Sequence, residues 1–201
     1  MMFSKKYNEI MEALSFSNTF KSPDAEEKAK RQNEEIQEIL NGVKKQVNPD
    51  GTWIIRDNLE IYGLRSVTDL KFLSNINSVD GDLSIIGFHN LISLEGCPQR
   101  IGGTFQVKDT EITSLKGGPV QVGKNYDCFN NRLASLKGAP VRISGDFDCS
   151  YNPLESLEGC PKYVGGTFYL IRSFLSIDKD IEVFTKQDIK VVCNVKTVYI
   201  H

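Results

Sequence analysis

The sequence has no excess of either charge. Lys and Arg number 24, Asp and Glu 26, and the net charge is −2. No basic field exists to draw nucleic acid by counterion release, so nucleic acid is not expected as a partner. There are only two histidines, His89 and His201, and neither stands in a Cys/His spacing that holds zinc. The five cysteines, Cys97, Cys128, Cys149, Cys160 and Cys193, include no Cys-x-x-Cys pair. Their odd number argues against a closed disulfide framework and for a reducing cytosol. No apolar run approaches the roughly 20 residues of a membrane span, so no membrane is expected as a partner. The opening Met-Met-Phe-Ser-Lys-Lys lacks the apolar core of a signal peptide. There is no phosphate-binding loop and no Gly-x-Ser-x-Gly nucleophile turn. The sequence therefore offers no catalytic residue, metal site or cofactor, and a non-enzymatic protein is expected.

What is present is a repeat. Ser93-Leu94-Glu95-Gly96, Ser114-Leu115-Lys116-Gly117, Ser135-Leu136-Lys137-Gly138 and Ser156-Leu157-Glu158-Gly159 begin 21 residues apart, each followed by a proline two residues after its glycine. A fixed period of this length is the signature of a solenoid. Each period repeats an apolar ladder: Ile101, Val122, Ile143 and Val164; then Phe105, Tyr126, Phe147 and Phe168; then Val107, Cys128, Cys149 and Leu170. Leu91, Ile112, Leu133, Leu154 and Leu175 follow, and then Leu94, Leu115, Leu136 and Leu157. The step of two between the aromatic rung and the next predicts one strand per coil, with residues 105 and 107 inward and 104, 106 and 108 outward. The other apolar positions belong to an irregular return path turned by Gly-x-Pro. A single coil cannot bury its own apolar face, so coils must stack into a parallel sheet. Cys128 on Cys149 is then a small apolar contact within that stack.

The runs Tyr-x-Cys-x-x-Asn-x-Leu at 126–133 and Phe-x-Cys-x-x-Asn-x-Leu at 147–154 resemble the core of a leucine-rich repeat. Asn131 and Asn152 stand where that family places its asparagine ladder, and Thr110 and Ser173 replace it in the coils on either side. The segment 145–161, Gly-Asp-Phe-Asp-Cys-Ser-Tyr-Asn-Pro-Leu-Glu-Ser-Leu-Glu-Gly-Cys-Pro, is similar to the repeat of leucine-rich-repeat-like proteins of large tailed bacteriophages. The resemblance covers about residues 50–177. It implies a phage-encoded protein acting in the cytoplasm of the infected bacterial host, and a sheet face used for binding.

The fold expected is a β-rich solenoid, leucine-rich-repeat-like, with 21-residue coils and a parallel sheet, flanked by an α-helical N-terminal segment and a β-rich C-terminal cap. Residues 1–48 form the helical arm or cap, 49–177 the solenoid and 178–201 the cap. Within the arm, Phe3, Tyr7, Ile10, Met11 and Leu14 recur at helical spacing. Ser22-Pro23-Asp24 starts a second helix able to reach Val47, charged at first and apolar later at Ile36, Ile39, Leu40, Val43 and Val47. Asn48-Pro49-Asp50-Gly51 is a turn into the solenoid. Entry coils around Leu59/Ile61 and Leu83/Ile85 are longer, 24 residues apart. Near the end, Ile181–Phe184, Ile189–Val192 and Val195–Ile200 predict one or two strands, with Thr185–Asp188 as a turn.

Outward strand positions are the place to seek function. The residues expected to bind a partner are Tyr62, Ile86, Gln106, Lys108, Asp127, Phe129, Asp146, Asp148, Tyr169 and Ile171. Aromatic and apolar groups bordered by charge are what an interface core and rim require. The leading expectation is a protein–protein interaction module binding a host protein, as an inhibitor of host defence or a modulator of host machinery. The alternative is a structural or assembly protein forming a homo-oligomer through helix 22–47. A third reading makes Asp127, Asp146 and Asp148 a hydrolytic cluster, against a simple solvated strand face.

Overall fold

The computed structural model describes residues 23–64, 67–171 and 184–200. It is a β-solenoid of about five stacked coils built on parallel sheet. Each coil contributes two strands that meet at a corner, one to each of two sheets. The first sheet stacks β2 (Trp53–Ile55), β4 (Ile76–Val79), β6 (Arg100–Ile101), β8 (Gln121–Val122) and β10 (Arg142–Ile143). The second stacks β3 (Leu59–Tyr62), β5 (Leu83–Ile86), β7 (Phe105–Lys108), β9 (Tyr126–Asp127) and β11 (Phe147–Asp148). The long strand β12 (Tyr163–Leu170) belongs to both, and β13 (Asn194–Ile200) runs parallel to it along both. At the other end β1 (Lys45–Val47) pairs antiparallel with β2.

The single strand per coil expected from the sequence is thus corrected to two. Ile101, Val122 and Ile143 lie on two-residue strands rather than in an irregular path. A two-residue strand is too short to show alternation in a sequence, and the glycines after it read as a loop. Inward and outward assignments along β7 hold: Phe105 and Val107 are fully buried, Gln106 and Lys108 half-buried. Phe105, Tyr126, Phe147 and Phe168 are in register, with ring centroids 5.0, 5.8 and 5.0 Å apart along the column. Tilted and edge-on pairs of this kind add about 0.5–1.5 kcal/mol each beyond area burial.

The corner explains part of the glycine pattern. Side-chain oxygens of one coil accept the backbone N–H of the next: Asn58 from Asp82, Asp82 from Thr104, Asn125 from Asp146, and Asp146 from Thr167, at 2.7–2.9 Å. Above each of these four acceptors sits a glycine, Gly81, Gly103, Gly145 and Gly166, where an added Cβ would fall under 3.0 Å from the acceptor oxygen. In the one coil where the residue below is Thr104, the glycine position is Lys124. The glycine is required by what stands beneath it, not by its own backbone angle.

A second ladder holds the far end of the second-sheet strands. Asn131 accepts from Thr110 N–H and Oγ1 and donates to the carbonyls of Val107 and Cys128. Asn152 accepts from Leu133 N–H and donates to the carbonyls of Cys128 and Cys149. Both asparagines are buried, and each satisfies backbone groups that two coils leave open. The Cys128 and Cys149 thiols donate to the carbonyls of Asp148 and Tyr169 and form no disulfide. Burial pushes both thiols well above their ordinary range.

The ends differ from expectation in two places. Helix α1 (Pro23–Gly42) stops short of Val47, and residues 45–47 form β1 instead. The Lys45 Nζ donates to the Leu40 carbonyl at the helix end and lies 4.4 Å over the Trp53 ring. Ile36 and Leu40 are buried in the common core, with Ile39 and Val43 packed against it. Near the C-terminus, Lys186–Val192 is not a strand but helix α2, and Thr185 and Asp188 form its capping box. Ile189 alone of that helix is fully buried, so the apolar pair Val191-Val192 misled. The expected N-terminal amphipathic stretch of 1–20, Leu175 and the Ile181–Val183 stretch lie outside the described residues.

Candidate interaction surface

The outer face of the second sheet collects most of the residues singled out from the sequence. One row, in strand register, runs Glu60, Ser84, Gln106, Asp127, Asp148, Tyr169 and Tyr199. The next runs Tyr62, Ile86 and Lys108, and continues past the short strands β9 and β11 through Phe129, Ser150 and Ile171. Tyr62 and Tyr199, at opposite ends of the sheet, are each about half exposed, 52% and 50%. Ile86, Phe129, Tyr169 and Ile171 are partly exposed.

The carboxylates of this face have backbone work. Asp127 Oδ1 accepts from Phe129 N–H at 3.1 Å, and Asp148 Oδ1 accepts from Ser150 N–H at 2.9 Å. Each closes a local turn just past its two-residue strand, on an N–H two residues further along the chain. Asp127 Oδ2 also meets Lys108 Nζ at 3.2 Å. Burial raises the Asp127 carboxyl above the usual range, opposed by the Phe129 N–H and Lys108, with the neighbouring Asp148 adding to the rise. Asp146 does not join them. It stands at the corner, on the other side of the aromatic rung, and holds Thr167 N–H. Ser150 is fully buried, its Oγ accepting from Ile171 N–H at 3.0 Å. Tyr62 donates to Glu60 at 2.8 Å, and that bond raises the phenol's pKa. Among the described residues there is no group of three or more His, Cys, Asp or Glu placed to hold a metal ion, and no helix is long and apolar enough to cross a membrane.

Two aromatic residues of this surface were not singled out from the sequence. Tyr199 stands beside Tyr169, ring centroids 5.9 Å apart, because β13 extends the sheet by one strand. Tyr151 lies 4.9 Å from Phe129. It sits in the left-handed region, φ 56°, as do Gly63, Gly87, Asp109 and Asn130 at the equivalent turn of earlier coils. That conformation is rare for a bulky side chain. The two glycines at 63 and 87 were the available signal for the turn; for Tyr199 only the pairing of β13 with β12 reveals its place.

The surface therefore has aromatic groups toward the C-terminal end (Phe129, Tyr151, Tyr169, Tyr199), Tyr62 and Ile86 at the N-terminal end, and a charged and amide centre of Gln106, Lys108, Asp127 and Asp148. No family model, no curated protein and no solved structure matches the chain.

Proposed function

We propose that this chain is a non-enzymatic interaction module, leucine-rich-repeat-like and encoded by a tailed bacteriophage. It binds a host protein in the infected cell through the outer face of the second sheet, as an inhibitor of host defence or a modulator of host machinery. The observation that carries the binding surface is two aromatic pairs, Phe129 with Tyr151 and Tyr169 with Tyr199, partly exposed beside a polar centre. Aromatic anchors ringed by polar groups are the composition of an interface core. The bound and capping roles of Asp127 and Asp148 favour this reading over hydrolysis, since each carboxylate is engaged with backbone.

The test is affinity capture of the tagged chain from host lysate, with Phe129→Ala plus Tyr169→Ala as the control. One host protein is expected with the native chain and should be lost with the double variant, since interface anchors of this type contribute about 2 kcal/mol or more each. Equal capture by the two forms overturns the surface assignment. Self-assembly through α1 is the second reading, and it has lost its main driving force: Ile36 and Leu40 are already buried within the chain, 3% and 1% exposed.

A further inference from the structure

The outer face of the first sheet carries a groove that the reading above does not use. Its floor is made of Gly102 and Gly123, each directly over a carbonyl of the preceding coil, Asp80 and Gly102, so that neither position has room for a Cβ. The groove holds about 720 Å³ and runs across β4, β6, β8 and β10 along the solenoid axis. On one side stand Val120 and Val141, equivalent residues of successive coils, 61% and 70% exposed. Valines so exposed and stacked in register present apolar surface with no partner among the described residues.

Two guanidinium groups border the same groove. Arg100 and Arg142 occupy one row, two coils apart, with Gln121 between them. Both are exposed and neither forms an ion pair with a described residue. Arg142 is stacked on Tyr163, its Cζ 3.8 Å from the ring centroid. Stacking fixes the plane of the guanidinium and leaves its N–H edge free for a carboxylate. The acid lining the groove, Asp80, is held at 2.7 Å by Arg56.

We infer that this groove binds an extended acidic segment of a partner protein. Coils repeat at about 4.8 Å, so Arg100 and Arg142 are about 10 Å apart. A polyproline-II chain turns once in three residues and rises about 9.3 Å in doing so. Carboxylates three residues apart on such a chain therefore face both arginines, and the side chains between them reach Val120 and Val141. A peptide fits better than a nucleic acid: the row of two arginines is short, the chain's net charge is −2, and the exposed valines need an apolar partner.

The test uses fluorescence anisotropy with the full chain and a fluorescein-labelled hexapeptide, Pro-Glu-Pro-Val-Glu-Pro, and the same peptide with both Glu replaced by Gln. Saturable binding of the acidic peptide is expected. It should weaken by about tenfold or more with Arg100→Gln plus Arg142→Gln, the loss typical of charge-assisted hydrogen bonds, and equally with the Gln peptide, a control that does not depend on a variant folding. Phe129→Ala plus Tyr169→Ala should leave it unchanged, which separates this groove from the second-sheet face. Absence of saturation up to about 1 mM, equal binding of the Gln peptide, or displacement by an oligothymidylate at equal or lower concentration than by unlabelled acidic peptide would each overturn the assignment.

Discussion

Replacing Gly145 by Ala tests the idea that corner glycines are dictated by the coil beneath. Gly145 has no positive φ, so an alanine is free to adopt its backbone. Its Cβ, however, would lie under 3.0 Å from Asn125 Oδ1 and at 3.0 Å from the Lys124 carbonyl. Asn125 must swing away, and its 2.8 Å bond from Asp146 N–H is lost. The bond is solvent-exposed, so its loss costs about 1 kcal/mol. Overpacking against the fixed Lys124 backbone adds about 1–3 kcal/mol. The reduced freedom of the unfolded chain offsets about 0.4–1 kcal/mol. The net expectation is a destabilisation of about 1–3 kcal/mol. The decisive arm is the double variant. Asn125→Thr recreates the Thr104/Lys124 arrangement of the coil below, where a non-glycine residue is accommodated. Asn125→Thr should therefore cost about 1 kcal/mol alone, and Gly145→Ala should cost about 1 kcal/mol less once it is present, because the bond to Asp146 N–H is already gone while the contact with the Lys124 backbone stays. Urea unfolding of the four proteins, followed by far-ultraviolet circular dichroism, measures the coupling. A coupling of about 1 kcal/mol is expected; additivity within about 0.5 kcal/mol would refute the reasoning.

Three other outcomes follow from the same structure. Tyr126 is fully buried and its hydroxyl has no partner among the described residues, whereas the equivalent residues are Phe105, Phe147 and Phe168. Tyr126→Phe should raise stability by about 1 kcal/mol, the relief of an unsatisfied buried hydroxyl; a lowered melting temperature would show that the hydroxyl is satisfied in solution. Burial raises the Asp127 carboxyl, so the fold favours its protonated form. Stability from this group is present below the unfolded value of about 3.9 and is lost as pH rises through the higher folded value. Asp127→Asn should accordingly gain on the native protein between pH 3 and pH 7 in urea titrations, and a change of the opposite sign would contradict the shift. Cys128 and Cys149 are fully buried in the stack, and burial raises both thiols. Iodoacetamide labelling read by peptide mass should leave Cys128 and Cys149 unmodified in the folded protein and modify them only in urea; labelling of either in the native protein would count against their burial.

How much of this was legible in the sequence depends on how local each cause is. The 21-residue repeat, the inward Phe/Tyr column and the asparagine ladder were readable because each coil states them again. Repetition turned single weak signals at Phe105, Tyr126 and Phe147 into a pattern. The same repetition hid the second sheet. Ile101, Val122 and Ile143 recur faithfully, but a two-residue strand leaves no alternation to read, and only its pairing with the coils on either side makes it a strand. The candidate surface divided in the same way. Residues 106, 127 and 169 were placed on the outer face correctly by counting in twos. Asp146 was not, because a chain that turns a corner between 144 and 146 no longer counts in twos across it.

The sequence by itself determined a stacked coil with an apolar interior, since no other packing buries a ladder that recurs every 21 residues. It also determined which residues alternate outward on the longer strands. Tertiary structure alone decided the roles of residues whose partners lie a full coil away. Asp127 and Asp148 became strand caps, Asp146 a rung of the corner ladder, and Lys124 a corner residue released from glycine. It also decided the ends: residues 45–47 pair as a strand because β2 offers an open edge, and residues 186–192 coil into a helix because Thr185 and Asp188 cap it and Ile189 and Val192 pack on the core. In a solenoid the chain specifies each coil locally, but each polar side chain takes its function from the coil above or below, about 4.8 Å away in space and some 21 residues away in sequence.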